Sequence, residues 1–331
     1  MQERLVSIIV PNWNGRPFLG PCLDAVFRQN YGNLEVIVVD CNSADESVPF
    51  IRNNYPQVRL IALEIDRGGP YADNLACSMC KGDYILLLNN DVIIPSDCLS
   101  KMVLELEKDE NCVINPVQLG WDGKYISSGF PHPWLGYYLH KFIKREGKTA
   151  FYPSLACCLV TKRLLQANPL NENFFLYEDT EWGWRLHLKE IRVKVMSDLC
   201  FYHKDAGTIG GSPKQAFING RTAIATTFIC FKLRSFLLFS PLLFLDYVLR
   251  CAGYRKSPPL LKAYLRGLVD FFRKIRLFNT DRRKVQRERL VGDWEIIKLI
   301  AASVDFERKA KERWFSNNAG KREETVNASH Y

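Results

Sequence analysis

Two short polar segments carry the residue types that chemistry on a phosphorylated ligand would need. The first, Asn89-Asn90-Asp91, directly follows the apolar run Tyr84–Leu88. An open α/β sheet binds its ligand just beyond the carboxyl ends of its strands, so a carboxylate there is well placed to hold a divalent cation against a nucleotide diphosphate. The same three residues also make a good turn, and the local pattern alone favours neither interpretation.

The second segment is Glu178-Asp179, which lies between the aromatic stretch 174–177 and a helix predicted over 180–189. A carboxylate at this point could take a proton from a hydroxyl group, and apolar neighbours would raise its pKa. The helix dipole alone would also explain two acids at a helix start. His203 is a candidate metal or phosphate ligand, although a lone histidine is more often structural.

Two further segments have the character of a nucleotide site. Asp40 ends the apolar run Leu34–Val39, where a doubly wound sheet commonly receives a ribose or base; a turn or helix-capping role fits equally well. Residues 66–74 form a Gly-Gly turn into a helix, which would present backbone N–H groups to an anion, and Arg67 adds positive charge. The Gly-Lys-Ser/Thr ending of a P-loop is absent.

The elements that must position these residues alternate in type. Strands are predicted over 6–10, 34–39, 58–62, 84–88, 154–160 and 193–196, and helices over 17–29, 47–54, 71–80 and 162–167. Short continuous apolar strands separated by helices predict an α/β fold, a mostly parallel sheet with helices on both faces. The stretch 113–155, rich in Gly, Pro and aromatic residues, is predicted to be irregular.

Charge divides the chain into two parts. Residues 1–220 carry 22 Lys+Arg and 25 Asp+Glu, a balance of −3, whereas residues 221–331 carry 23 and 11, a balance of +12. Eleven scattered cysteines, and a strand that begins directly after Met1–Arg4 without a secretory signal, predict reduced thiols in a cytoplasmic protein. Cys77 and Cys80 lack the two further spaced ligands of a zinc site.

The C-terminal part is first apolar and then basic. Residues 223–249 are interrupted by charges and a proline, and the uncharged piece 235–245 is shorter than the roughly 20 residues that span a bilayer. We therefore predict an interfacial or re-entrant helix, followed by basic helices over 260–276 and 282–300. Packing on the rest of the protein, or a dimer contact, would explain the same apolar pattern. The apolar content favours an anionic membrane surface over nucleic acid as the partner.

In this order, the segments resemble family 2 glycosyltransferases of the GT-A fold, a Rossmann-like architecture. The resemblance runs from residue 5 to about 205. Within the family, the chain looks most like the rhamnosyltransferase-like enzymes that build cell-surface polysaccharides or glycolipids. Its markers are Val6–Gly15, Val38–Ser47, Arg67–Asn74, Leu87–Asp91 and Phe174–Arg185. No single marker is decisive, but five in register are highly specific.

The resemblance implies a site for a nucleotide-diphosphate sugar and a Mg²⁺ or Mn²⁺ ion. Asp91 and His203 would bind the metal, since 89–91 falls on the family's Asp-x-Asp motif with Asn in place of the first acid. Asp179 would be the catalytic base, with Glu178 as the alternative because the Tyr177-Glu178 join is one residue shorter than the family pattern. Trp182 and Arg185 would lie on the acceptor side. The nucleotide-sugar would contact Pro11, Asn12, Asn14, Asp40, Arg67, Gly69, Asn74, Asn89 and Asn90.

The implied activity is inverting transfer of a sugar to a hydroxyl of a glycan or lipid-linked acceptor. Residues 1–215 would form the catalytic domain, 216–315 a helical extension on the cytoplasmic face of the cell membrane, and 316–331 a disordered tail. A homodimer is a further expectation, and nucleic acid is not an expected partner. Two alternatives are a non-catalytic nucleotide-sugar-binding subunit and a nucleotidyltransferase, a class that usually opens with a basic Gly-rich loop, unlike Pro11–Gly15.

Overall fold

The computed structural model describes residues 3–127, 135–143, 145–146, 149–174, 177–204 and 211–317, with the backbone alone for 135–138 and 317. The described strands are β1 Val6–Asn12, β2 Leu34–Asp40, β3 Arg59–Ala62, β4 Tyr84–Leu88, β5 Val92–Ile93, β6 Cys112–Gly120, β7 Tyr125–Ser127, β8 Cys157–Thr161 and β9 Arg192–His203. The described helices are α1 Arg16–Phe27, α2 Ser47–Asn54, α3 Gly69–Met79, α4 Cys98–Leu106, α5 Leu135–Phe142, α6 Lys162–Ala167, α7 Glu178–Leu188, α8 Pro213–Cys230, α9 Leu233–Gly253, α10 Pro258–Arg273, α11 Ile275–Glu288 and α12 Asp293–Asn317.

The strands form one mixed sheet in the order β3-β2-β1-β4-β8-β6-β9-β5, with β7 paired to β6. The predicted parallel half is confirmed, because β3, β2, β1 and β4 are parallel neighbours. Beyond β4 the sheet becomes mixed: β8 runs antiparallel to both β4 and β6, whereas β6 and β9 are parallel. The carboxyl ends of β1, β2 and β4, where the sequence places its polar segments, therefore meet at one edge.

Alternate residues of the buried strands pack on opposite faces, as the prediction of helices on both sides requires. Ile8 and Leu86 belong to a core that includes residues of α1 and α4. Ile9 and Leu87 belong to a second core that includes residues of α3, α6 and α7. This period of two follows from the pleat of the strand, and it fixes the register of each loop at the sheet edge.

The prediction that 113–155 is irregular is wrong for its first part. β6 spans nine residues, of which eight are buried. Pro116 and the polar side chains of Asn115 and Gln118 hid the strand from a hydrophobic pattern. Both side chains are satisfied internally: Asn115 accepts from the Ser154 N–H at 2.9 Å, and Gln118 accepts from the Ser154 hydroxyl at 3.1 Å. The β6–β9 register shifts at Pro116/Val117, as expected for a residue that cannot donate to a ladder.

The C-terminal helices differ from prediction at two points. The basic helix expected over 282–300 is divided between α11 and α12, because Leu290 and Val291 turn aside and donate their backbone N–H groups to the Leu188 carbonyl. The tail predicted over 316–331 is wrong for residues 316 and 317, which belong to α12, and residues 318–331 lie outside the described residues. The domain boundary at 215 stays a prediction.

Helix α8 and helix α10 approach closely through two glycines. A Cβ added at Gly220 would lie 3.1 Å from the Tyr264 carbonyl carbon, and one added at Gly267 would lie 3.0 Å from the Arg221 backbone nitrogen. A separate core joins these helices to the sheet domain through the buried aromatic residues Trp184 and Phe231, whose rings meet edge to face at 4.9 Å.

Helix α9 is continuous through Pro241, so the apolar segment is longer than the uncharged piece 235–245 suggested. By length and composition, Leu233–Lys256 could cross a membrane, and only 11% of its most apolar window is buried in the protein. The eleven cysteines are free, and nine of them are buried, which agrees with the expectation of reduced thiols.

Candidate active site

The loop after β1 and the loop after β2 are tied together by one polar network. Asn12 pairs with Asp40 in the strand register, and its side-chain amide donates to the Asp40 carboxylate at 2.7 Å. Asp40 also accepts from the Ser43 hydroxyl at 2.7 Å and the Ser43 backbone N–H at 2.9 Å. Asn12 and Asp40 are each only 1% exposed. The turn role of Asp40 is therefore confirmed, while direct contact with a ribose or base stays a prediction.

Asn14 also connects the loop after β1 to the loop after β2. Its backbone N–H donates to the Ser43 hydroxyl at 2.8 Å, and its side-chain oxygen accepts from the Ala44 N–H at 2.8 Å. Asn14 and Asn42 adopt φ values of 49° and 60°, a region that asparagine tolerates better than most residues. Pro11 is half-buried opposite Val39 in β1.

Asn90 connects this network to the segment that ends β4. Its amide donates to the Asn12 side-chain oxygen at 2.7 Å. Gly15 lies against this pair, and a Cβ there would overlap both side chains and sit 2.9 Å from the Asn90 Cγ. Asn89 accepts from the Val92 N–H at 3.2 Å through its carbonyl, so the segment is also the turn that its composition suggested.

Asp91 and His203 are brought together as predicted. β5 pairs with the end of β9, which places His203 Nε2 3.1 Å from Asp91 Oδ1. The Asp91 carboxylate is largely buried, yet its Oδ1 makes no hydrogen bond of good geometry. The other ring nitrogen of His203 contacts the Gln118 side-chain amide at 2.9 Å, and Asn89 lies 3.5 Å from Nε2.

These atoms fit a divalent cation. Two neighbouring ligands of an octahedral ion with bonds of about 2.1 Å are separated by about 3 Å, close to the observed carboxylate–imidazole distance. A buried carboxylate oxygen and an imidazole are donors that Mn²⁺ accepts, and Gln118 is placed to fix the histidine tautomer. Among the described residues no cluster of three or more His, Cys, Asp or Glu side chains forms.

Glu178 and Asp179 form a half-buried pair at the start of α7. Asp179 Oδ1 accepts from the Thr180 N–H at 2.6 Å, whereas Glu178 Oε2 is buried without a hydrogen-bond partner. Burial raises the pKa of Glu178, and the neighbouring Asp179 charge raises it further. Burial also raises the pKa of Asp179, whereas the hydrogen bonds from Thr180 lower it. The pair therefore favours an ionised Asp179 beside a protonated Glu178.

In the described contacts, the residues of the turn before α3 and of its first turns mainly stabilise the fold. Gly68, rather than Gly69, requires glycine, because its φ is 83° whereas a Cβ at Gly69 would meet nothing within 4 Å. The Arg67 guanidinium lies 3.5 Å from the centre of the Tyr71 ring. Asn74 clamps α3 to the next layer, since its amide donates to the Leu170 carbonyl at 2.9 Å and its oxygen accepts from the Leu170 N–H at 3.0 Å.

Of the two acceptor-side predictions, the structure contradicts the one for Trp182, whereas the one for Arg185 stays a prediction. Trp182 is fully buried and its indole N–H donates to the Asn168 carbonyl at 2.7 Å, so it is a core residue and does not face an acceptor. Arg185 is held by Glu181 at 2.8 Å and lines a cleft of about 360 Å³ between α7 and α11. Neither Glu178 nor Asp179 lines that cleft.

Sequence reasoning missed two residues of this region. Gln118 contacts His203 but lies in the segment predicted to be irregular. Asp73 is 6% exposed, and its Oδ1 has no hydrogen-bond partner. The available signal was its place within the marker Arg67–Asn74: an acid one turn into α3, which packs on β1 and β2.

Comparison with known proteins identifies the family. The family model described as glycosyl transferase family 2 matches residues 7–172, half of the chain. GlyG of Streptococcus pneumoniae is 25% identical over 222 residues, which cover 62% of this chain and 73% of GlyG. The poly(ribitol-phosphate) beta-glucosyltransferase of Bacillus spizizenii is 25% identical over 60% of this chain, but this chain spans only 32% of that protein.

Two solved structures share the fold over almost the whole chain. S. aureus TarS 1–349 in complex with UDP aligns with a TM-score of 0.56 at 17% identity, covering 94% of this chain and 91% of that one. The mannosyltransferase PcManGT from Pyrobaculum calidifontis, in complex with GDP-Man and Mn²⁺, aligns with a TM-score of 0.53 at 17% identity, covering 92% and 87%. The predicted GT-A-like fold with a C-terminal helical region is confirmed, and the chain belongs to glycosyl transferase family 2.

Proposed function

We propose that this protein is an inverting glycosyltransferase that moves a sugar from a nucleotide diphosphate to a hydroxyl acceptor in cell-surface polysaccharide or glycolipid synthesis. The observation that carries the proposal is the pair of separate acidic sites in a family 2 fold. One is Asp91 with His203, and the other is Glu178 with Asp179. The name of the poly(ribitol-phosphate) beta-glucosyltransferase supports a polymer of the cell surface as product.

Asp179 is the base in this mechanism. Thr180 donates to Oδ1 of its carboxylate, and Oδ2 is the oxygen that takes the proton of the acceptor hydroxyl in this proposal. The hydroxyl oxygen then bonds to the anomeric carbon while the bond from that carbon to the diphosphate breaks, and the nucleoside diphosphate leaves. A raised pKa matches the base to this task, because a carboxylate of ordinary pKa holds a proton too weakly near neutral pH.

Asp91 and His203 are the residues that would hold Mg²⁺ or Mn²⁺. A bound cation would offset the charge that develops on the departing diphosphate. Asn89 in place of an acid leaves one carboxylate in the motif, so we expect modest metal affinity. The network of Asn12, Asp40 and Asn90 joins this motif to the loop proposed to receive the base and ribose, so that nucleotide and metal sites are positioned by one unit.

The transferred sugar is proposed to be a hexosyl or rhamnosyl group, in line with the rhamnosyltransferase-like markers. A non-catalytic nucleotide-sugar-binding subunit would bind donor without transferring or hydrolysing it. A nucleotidyltransferase would join a nucleoside triphosphate to a sugar phosphate and release pyrophosphate from the triphosphate. Hydrolysis assays with nucleotide sugars, and pyrophosphate release from triphosphates, separate these activities.

The decisive variant is Asp179→Asn. We expect transfer or donor hydrolysis to fall by roughly 10²- to 10⁴-fold, the usual worth of a positioned base, while affinity for the donor persists. Glu178→Gln should be less harmful, because Gln preserves a neutral side chain. Asp198→Asn, an exposed acid on β9, is the matched control. Near-normal transfer by Asp179→Asn would rule out its role as base.

The extension is proposed to dock on the cytoplasmic face of the cell membrane, where a lipid-linked acceptor is found. One side of α9 packs on the protein through Leu243 and Tyr247. The opposite side exposes large apolar side chains: Leu237, Leu238, Phe244, Leu245, Val248 and Leu249. Leu265, Val269 and Phe272 are likewise exposed on α10. An apolar outward face reverses the usual pattern of a soluble helix and favours an interfacial position.

Exposed cations accompany this apolar surface. They are Lys232, Arg234, Arg255, Lys256, Lys262, Arg266 and Arg273. Each such residue near an anionic leaflet contributes about 1 kcal/mol to membrane binding. A homodimer through the same face is the competing arrangement.

Flotation with vesicles decides between these arrangements. We expect the protein to float with phosphatidylcholine–phosphatidylglycerol vesicles more than with phosphatidylcholine alone, and the double variant Leu238→Glu/Phe244→Glu to lose flotation. Leu104→Glu, which alters a similarly exposed leucine on α4, should float normally. A stable dimer in lipid-free buffer that this double variant splits, without flotation of the parent, would assign the face to dimerisation.

A further inference from the structure

Trp121 contacts the metal motif directly. It follows the end of β6, and its indole N–H donates to the Asp91 backbone carbonyl at 3.0 Å. Its ring meets the Phe18 ring of α1 edge to face, with 5.9 Å between the ring centres. The same Asp91 carbonyl also accepts from the Lys204 backbone N–H at 3.2 Å. Trp121 and the residue that follows β9 are therefore both fixed to the residue proposed to bind the metal.

The Lys204 side chain brings a positive charge to this region. Its ammonium nitrogen lies 5.4 Å from the centre of the Trp121 ring, within the range of a cation–π contact. The side chain is exposed, and among the residues that the structure describes no carboxylate forms an ion pair with it. The aromatic ring therefore holds the ammonium group close to the metal motif without neutralising its charge, as a carboxylate would.

The nucleoside diphosphate that leaves in the proposed reaction needs such a charge. It carries roughly three negative charges near neutral pH. Asp91 is itself negative, and a His203 that binds a metal is neutral, so a divalent ion at this motif would offset only part of the charge of the diphosphate. Charge that develops in a transition state is stabilised best by groups that are already fixed in place. An ammonium group held on the Trp121 ring meets that requirement.

We propose that Lys204 binds the terminal phosphate of the nucleoside diphosphate, and offsets the charge that develops there as the bond from the anomeric carbon to the phosphate oxygen breaks. This inference rests on the proposed function and adds a catalytic residue to it. Lys204 stays protonated throughout, and neither a proton nor an electron passes through it. Trp121 is the positioning residue, because it contacts both the ammonium group and the Asp91 carbonyl.

The test compares the binding of a nucleoside diphosphate and its monophosphate by the full-length protein. The probe is whichever of UDP, GDP and dTDP binds most tightly, and dissociation constants are measured by calorimetry in EDTA and again with Mn²⁺. Lys204→Met should weaken the diphosphate at least tenfold in both buffers and change the monophosphate by less than threefold. Lys204→Arg, which keeps a charge that can stack on the ring, should stay within threefold of the parent.

A double-mutant cycle tests the positioning role of Trp121. In a Trp121→Leu background, Lys204→Met should change the affinity for the diphosphate by less than twofold, because the ammonium group is no longer held in place. A change as large as in the parent would show that Trp121 does not position Lys204. Lys194→Met removes an exposed lysine near the other end of β9, and as the control it should leave both affinities unchanged.

Three results would overturn the inference. Equal weakening of the diphosphate and the monophosphate by Lys204→Met would assign its effect to the nucleoside or to the fold. Unchanged affinity for both would leave Lys204 without contact to the terminal phosphate. A loss that appears only with Mn²⁺ would make it an effect on the metal motif. A parent protein that binds the diphosphate but neither transfers nor hydrolyses any nucleotide sugar would instead refute the proposed function.

Discussion

Gly15→Ala tests whether the base loop and the metal motif form one unit. Gly15 has φ −101° and ψ 15°, a conformation open to alanine, so any cost must come from contact and not from the backbone. The new Cβ would overlap the Asn90 amide and the Asn12 oxygen, which bond each other at 2.7 Å. Separating them leaves a buried acceptor unpaired, at about 1–3 kcal/mol, and overpacking adds a similar amount.

The expected net loss of unfolding free energy is about 1–6 kcal/mol, because the lower entropy of the unfolded alanine variant offsets about 0.4–1 kcal/mol of the two costs. Urea unfolding followed by tryptophan fluorescence measures it. Gly253→Ala is the matched control, because Gly253 has helical φ and ψ and open space around its Cβ position. That change should be neutral or stabilise by up to about 1 kcal/mol.

The same substitution should weaken nucleoside-diphosphate binding, since Asn90 must move and Asp91 is its neighbour. In a double-mutant cycle, Asn90→Ala should recover part of the loss, with a coupling of about 1 kcal/mol or more. If Gly15→Ala matches Gly253→Ala in stability and nucleotide affinity, the loops are not coupled through this contact and the reasoning fails.

Three further predictions follow from the site. Asp91→Ala should raise the Mn²⁺ concentration for half-maximal transfer at least tenfold, and a parent enzyme indifferent to EDTA would contradict the metal role. Transfer should decline as pH falls and Asp179 takes up a proton; because burial raises its pKa, half of the rate should be lost above the usual aspartate value of about 4, and a midpoint at or below that value would count against Asp179. Burial raises the pKa of Asp73 to about 8, so the folded state holds this proton more tightly than the unfolded chain, and its contribution to stability is lost as pH rises from about 4 to about 8. Unfolding free energies should therefore favour Asp73→Asn over the parent increasingly between those pH values, by an amount on the order of a few kcal/mol, whereas a constant difference would show that Asp73 ionises freely.

The parallel half of the sheet was predictable because its strands are buried on both sides and so appear as uninterrupted apolar runs. β4 was predicted with its observed bounds, and α2 and α6 likewise. β6 was not, since Pro116 and two polar residues interrupt its pattern and their partners, such as Ser154, are distant in sequence. A strand whose polar groups are satisfied by tertiary contacts leaves no local signal.

The residues of the candidate site likewise include some that the sequence predicted and some that it did not. Asp91 and His203 were paired through the family resemblance, because no strand was predicted to end at residue 203; in the structure the pairing of β5 with the end of β9 brings them together. Trp182 was misassigned, because a tryptophan on a helix beside two acids has the same local pattern whether it faces solvent or core. Asp73 was overlooked, since only the fold shows that its Oδ1 is buried without a hydrogen-bond partner.

The glycine contacts between α8 and α10 bear on the distance between the catalytic site and the membrane. Gly220 and Gly267 bring backbone against backbone, so α10 cannot slide or roll without collision, and α8 continues into the aromatic core around Trp184. If the outer faces of α9 and α10 rest on a bilayer as proposed, the height and tilt of Asp179 above the lipid are set by rigid parts. The enzyme would then select acceptors by the distance of their reactive hydroxyl from the membrane surface.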